Sequence, residues 1–243
     1  MWLKVPERLK ELRFLQLTLY ILGFIIVSPL LSSNLIINIL TEIFLLNSLL
    51  VSLSASEGRF HLKWPLWGLW GTGVLCYLLV GLGVAPSLTP MFHLLYIILN
   101  SLVLLGCIGA TLAFIFRSER INLDIIFAAV VVYLFMAFTY AQFYHIFYFW
   151  HPDSFLVNSQ SGSSQIFEKE MVYFSLVTIA TLGYGDIVPI MPMARMLAAV
   201  EAVMGQFYVA ILVAWLVGTF ISQSMARTHK PKDIPTRPPD ENM

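Results

Sequence analysis

Between Thr178 and Pro189 the chain reads TIATLGYGDIVP, with two threonines, two glycines flanking a tyrosine, and an aspartate directly after them. Gly183 and Gly185 take left-handed dihedrals at no steric cost, so consecutive backbone carbonyls can be turned toward one axis. A row of neutral oxygens binds a cation without the trapping that a full negative charge would bring. Thr181 adds a hydroxyl to its carbonyl at one end of that row. At the other end stands Asp186, a hydrogen-bond acceptor. Farther along, Glu201 puts a carboxyl inside an apolar stretch, where burial is costly without a partner. Ser175, protonation of the carboxyl itself, Arg195 at six-residue spacing, or a water are its candidate partners.

The elements that must position these groups follow from length. A helix is expected from about Phe167 to Thr178 or Ile179, roughly 12 residues or about 18 Å, with Glu168 and Glu170 placed favourably near its positive end. Hydrocarbon is about 30 Å thick, so this helix can enter a membrane without crossing it. Irregular backbone at membrane depth is tolerated only where protein buries it or where it lines a water-filled cavity. A half-helix followed by a glycine-bearing strand therefore implies a pore or a binding cavity. The stretch before it, HPDSFLVNSQSGSSQ, reads as a flexible surface loop.

The rest of the chain places this hairpin in a bilayer. With 58% hydrophobic and 12% charged residues and a mean hydropathy of +0.80, it does not fit a soluble domain. Six runs are long enough to cross, at about 14–31, 34–54, 65–86, 91–116, 125–149 and 195–222. Lys4, Arg8, Lys10 and Arg13, then Arg59 and Lys63, then Arg117 and Arg120, then Arg227, Lys230, Lys232 and Arg237 place 12 of the 14 basic residues on one side, which is expected to be cytoplasmic. Both termini are then inside a multi-pass protein of the plasma membrane, the inner membrane if the cell is bacterial. The expected layout is a cytoplasmic segment 1–13, a four-helix block 14–116, a linker 117–124, a block 125–222 holding the half-helix and loop at 167–186, and a cytoplasmic tail 223–243. Cys76 and Cys107 are expected to be buried small hydrophobes.

Thr178, Thr181, Leu182, Gly183, Tyr184, Gly185 and Asp186 resemble the signature T-x-x-T-x-G-Y-G-D of potassium channels, with T-L-G-Y-G in place of the usual T-V-G-Y-G filter. The resemblance implies an all-α membrane protein, six transmembrane helices with a re-entrant pore helix, assembled as a homotetramer around one axis. It implies that Thr181, Leu182, Gly183, Tyr184 and Gly185 form the potassium-binding selectivity filter, the metal ligands being Thr181, Leu182, Gly183 and Tyr184 through their oxygens. Tyr173, Thr178, Asp186 and Glu201 would support that filter; in the family an aromatic on the pore helix often bonds the aspartate from behind, which singles out Tyr173 or Phe174, and of the two only Tyr173 has a donor. Tyr184 would act as a spacer braced against the surrounding half-helices, and Gly205 would be a gating hinge in the last helix. Potassium is the permeant ion and no cofactor is expected. The other partners are further copies of the chain, membrane lipid and a possible separate regulatory subunit, not nucleic acid.

Departures are local. Leu182 replaces valine, Ala180 stands where threonine is common, and Val177 occupies a position that is acidic in some members. Ala194, Ala198, Ala202, Ala210, Ala214 and Gly218 form a small-residue stripe along the last helix, broken by Gln206, suited to close helix packing or to a cavity wall. The six crossings also resemble voltage-gated channels, but the fourth run has no Lys or Arg before Arg117. Each unit charge moved across 100 mV is worth about 2.3 kcal/mol, so gating by this helix is not expected to be classically voltage-dependent. His93 with Asn100, and Asn38 with Glu42, are candidate buried polar clusters, and His145 a membrane-interface residue. Phosphate, dinucleotide and metal-enzyme motifs are absent, so catalysis is not expected. A weakly selective cation channel and a pore-loop potassium transporter subunit are the alternatives.

Overall fold

The computed structural model describes residues 12–27, 41, 43, 46–52, 60–81, 88–118, 122–157 and 164–228. Its helices are α1 (Arg13–Val27), α2 (Phe60–Gly81), α3 (Thr89–Arg117), α4 (Leu123–Trp150), α5 (Ser164–Ile179) and α6 (Pro192–Thr228), and residues 46–52 are also helical. Two short strands, β1 (Phe155–Val157) and β2 (Ile187–Pro189), pair antiparallel. Among the described residues three helices are long and apolar enough to cross a membrane: Thr89–Arg117, Leu123–Trp150 and the Pro192–Thr219 part of α6. The Asn38–Glu42 pair, most of the second expected crossing and the end of the tail lie outside the described residues.

Sequence chemistry sets the helix ends. Asn122 caps α4, its side-chain oxygen accepting from the Ile125 amide at 2.9 Å. Pro90 sits in the first turn of α3 and Pro192 opens α6, where a missing amide hydrogen costs nothing. Pro65 lies inside α2, which begins at Phe60, five residues ahead of the expected start.

Helix α4 is the structural spine, packing against α1, α3, α5 and α6. Phe14, Leu17 and Ile21 of α1, Val103, Leu104 and Cys107 of α3, and Val131, Val132 and Phe135 of α4 share one buried core. Lipid is as apolar as these side chains, so close fit rather than escape from water holds the helices together. Gly106 of α3 shows it: a β-carbon there would collide with Leu66 of α2. The two blocks are tied at one end by Asp124, whose carboxylate accepts from the Phe14 amide at 2.8 Å, a negative charge at the positive start of α1.

Several expectations need correction. The fold is mostly helical rather than purely so, because β1 and β2 form a ribbon. β1 belongs to the stretch read as a flexible loop; its serine and glycine content masked the short apolar run Phe155–Val157. Helix α5 starts at Ser164, so Glu168 and Glu170 fall beyond its first turn, past the reach of the helix-end field. Helix α6 extends to Thr228, beyond the expected end at 222. His93 and Asn100 do not cluster: the His93 ring lies 5.4 Å edge-to-face from His145 on α4, while the buried Asn100 amide faces Gly73 and has no hydrogen-bond partner among the described residues. Cys76 and Cys107 are buried and free.

Candidate functional site

The site begins where α5 ends. The Thr181 amide donates to the Thr178 carbonyl and the Leu182 amide to the Val177 carbonyl, both at 2.9 Å. This paired pattern is a Schellman cap with Ala180 as the cap residue, and the residue after the cap must be left-handed. That residue is Thr181, with φ of 59°. Glycine normally fills this place, and a β-branched residue there is under real steric strain. Gly183 and Gly185 follow with φ of 55° and 78°, so positive φ recurs at every second residue from Thr181 to Gly185. The glycines were expected to turn the backbone in this way, but Thr181 was not. Its signal was the T-x-x-T spacing, which sets Thr181 three residues after Thr178.

The last carbonyl of α5 is held from outside. The Tyr133 hydroxyl of α4 donates to the Ile179 oxygen at 3.0 Å, satisfying a group that a helix end leaves orphaned. Tyr133 also stacks on Tyr208 of α6, whose hydroxyl donates to the Ala129 carbonyl at 2.8 Å. Gly205 is buried at the same point. A β-carbon on it would lie 2.6 Å from Ile179 Cγ1 and 2.7 Å from the Ile179 oxygen. Helix α6 continues unbroken through Gly205, so the absent side chain is needed to let α5 approach.

Midway along α5, Ser175 is fully buried against Glu201 of α6, itself fully buried. Ser175 is hydrogen-bonded to Glu201 Oε1 and donates to the Ala137 carbonyl of α4 at 2.6 Å. The Tyr144 hydroxyl donates to Glu201 Oε2 at 2.5 Å. Of the candidate partners named for Glu201, Ser175 is in place, whereas Arg195 is exposed; Tyr144 was missed, since nothing in sequence places residues 144 and 201 side by side.

Toward the outer end, the Tyr173 hydroxyl donates to Asp186 Oδ2 at 2.7 Å and the Ile187 amide donates to Asp186 Oδ1 at 3.0 Å. The Tyr173 hydroxyl holds the Asp186 carboxyl below the usual carboxylate range. Phe174 points the other way, into a triangle with Tyr144 and Phe155 whose ring centroids are 5.0 to 5.6 Å apart in edge-to-face contact. The chain leaving the site is fastened by the ribbon, with Leu156 opposite Val188 and the Ile190 amide donating to the Ser154 carbonyl at 2.8 Å.

The other side of the loop is uncovered. In the single chain Leu182 is 58% and Tyr184 68% exposed. The apolar stretch of α6 is only 11% buried, against 61% for α4. Along the small-residue stripe Ala194 is buried, while Ala210, Ala214 and Gly218 are exposed.

No curated protein and no solved structure matches the chain. Residues 123–222 match a family model described as "Ion channel". That span starts at the first residue of α4 and takes in Tyr133, Ser175, the Thr181–Asp186 loop, Glu201 and Gly205, so the helices that grip this loop make up an ion channel domain in a membrane protein.

Proposed function

We propose that four copies of the chain assemble around one axis as a passive, potassium-selective channel. Thr181, Leu182, Gly183, Tyr184 and Gly185 would be its filter and α5 its pore helix. The observation that carries this reading is the recurrence of positive φ at Thr181, Gly183 and Gly185. An ordinary strand alternates its groups between two faces. Residues of alternating handedness instead turn successive peptide groups to one side, and a one-sided row of carbonyls can replace the water shell of a potassium ion. The exposed Leu182, Tyr184 and α6 supply the surface that further copies, lipid and the water-filled axis would cover. The strain at Thr181 also favours this reading over a loop with no such task.

The four-helix block would add three further crossings to give six, with both termini cytoplasmic in the plasma membrane. Helix α3 carries Arg117 in its last turn and no Lys or other Arg, so voltage would do little work on it. Purified protein in planar bilayers, with potassium on one side and sodium on the other, tests the proposal. Reversal near the potassium equilibrium potential, lost in Gly185→Ala, is expected. Reversal near zero with the native chain would instead favour the weakly selective alternative.

A further inference from the structure

The cluster at Glu201 can be read by counting protons. A serine hydroxyl has one proton to give, and a backbone carbonyl has none. Ser175 Oγ touches two acceptors, the Ala137 carbonyl at 2.6 Å and Glu201 Oε1. The carbonyl can only accept, so the Ser175 proton lies toward Ala137. The contact between Ser175 and Glu201 then requires a second proton, and of the two groups only the carboxyl can carry it. Were Glu201 ionised and Ser175 turned toward it, the serine oxygen would face the Ala137 carbonyl lone pair to lone pair. Tyr144 supplies its single proton to the remaining oxygen, Oε2.

We propose that Glu201 is a neutral carboxylic acid in the folded protein and is the central link of a directed chain: Tyr144 donates to Glu201 Oε2, Glu201 Oε1–H donates to Ser175, and Ser175 donates to Ala137. The surroundings agree. Among the described residues, the titratable groups that face Glu201 are the phenols Tyr144, Tyr140 and Tyr133 of α4, and none of these supplies a cation to balance a buried carboxylate. The chain joins α4, α5 and α6 at one level, so Glu201 is a positioning residue for the helix that ends in the Thr181–Gly185 loop. That consequence rests on the channel reading, but the protonation state does not. A neutral link also holds the helix without adding a fixed charge behind the cation row.

Infrared difference spectra of the full-length protein in lipid, native minus Glu201→Gln, test the assignment without any conduction measurement. The expected result at neutral pH is a protonated-carboxyl stretch that is absent from Glu201→Gln, falls in frequency in D2O, and rises in Tyr144→Phe, where Oε2 loses its donor. Glutamine can donate to Ser175 and accept from Tyr144, so Glu201→Gln should keep the native melting temperature within a few degrees, whereas Glu201→Leu should lower it clearly. Carboxylate bands alone in the difference spectrum, or a Glu201→Gln protein that does not assemble, would overturn the proposal. Absence of potassium current from the native protein would count against the channel reading and leave the infrared result to stand by itself.

Discussion

Gly205→Ala separates two explanations of the same glycine. As a hinge, Gly205 would be needed for bending, and alanine would stiffen an otherwise undisturbed helix. As a contact point, it would be needed for the approach of α5. The new β-carbon would lie 2.6 Å from Ile179 Cγ1 and 2.7 Å from its oxygen, whereas carbon atoms settle at about 3.5–4.0 Å. Helix α5 or α6 must therefore give by roughly 1 Å. Overpacking of this kind costs about 1–3 kcal/mol, set against a gain of about 1 kcal/mol from replacing glycine by alanine in a helix. Gly218→Ala is the control, because the same helix has open space around that glycine and only the gain applies. Unfolding of each variant in detergent should place Gly205→Ala below Gly218→Ala by about 1–3 kcal/mol. In bilayers Gly205→Ala should shift the reversal potential toward zero, since the displaced Ile179 oxygen lies two residues before Thr181. Equal stabilities, with altered opening and unchanged reversal, would refute the contact argument and return Gly205 to the hinge.

Tyr133→Phe removes the hydroxyl that satisfies the Ile179 carbonyl; a loss of about 1–2 kcal/mol in stability is expected, with weakened discrimination between potassium and sodium in the same bilayer assay. Tyr173→Phe unties Asp186 from α5 and should speed the decay of current under steady conditions. Because the folded Asp186 carboxyl sits below its ordinary value of about 3.9, its contribution is complete above that value and is lost as pH falls through the lowered one. Acidification of the outer solution should therefore reproduce Tyr173→Phe only below about pH 4, and a native channel that decays the same way near neutral pH would contradict the assignment. Asn122→Ala should cost about 1 kcal/mol by uncapping α4, read as a lower melting temperature with unchanged reversal.

What could be read from sequence was local. Glycine at 183 and 185 announces positive φ because other residues resist it, and Tyr173 could be named as a partner for Asp186 because the resemblance pointed to an aromatic on the pore helix and, of Tyr173 and Phe174, only Tyr173 carries a donor. Apolar length gave the long helices α3, α4 and α6 within a few residues. Contacts between distant segments were out of reach. The Tyr133 bond to Ile179 and the Tyr144 bond to Glu201 depend on how α4 is rotated against α5 and α6, and α4 is apolar around its whole circumference, so no stripe marks its inner face. The ribbon failed for a related reason: three residues of strand gain their order from a partner thirty or more positions away, and the loop composition around them points elsewhere. Thr181 was read as a ligand only; that it also ends the helix in a conformation usually left to glycine follows from a cap that composition does not reveal.

These contacts divide the labour around the loop. From its own chain, α5 is held at three levels: Tyr173 on Asp186 near the outer end, Ser175 in the Glu201 cluster in the middle, and Tyr133 with Gly205 at Ile179. All three lie within one chain and fix the position of the helix that leads into the loop. The exposed rings and side chains of Leu182 and Tyr184 lie on a side that one chain leaves uncovered. If four copies close around an axis, the intrachain anchors set where each strand stands and the contacts between copies set how wide the opening is. Substitutions at Ser175 or Tyr133 should then alter selectivity in complexes that still assemble, whereas polar substitutions at Leu182 should first reduce the yield of the assembly. Cross-linked oligomers resolved by size would separate the two effects, and a Leu182→Asn chain that assembles as well as the native one would place that side chain toward lipid or water instead of a neighbouring copy.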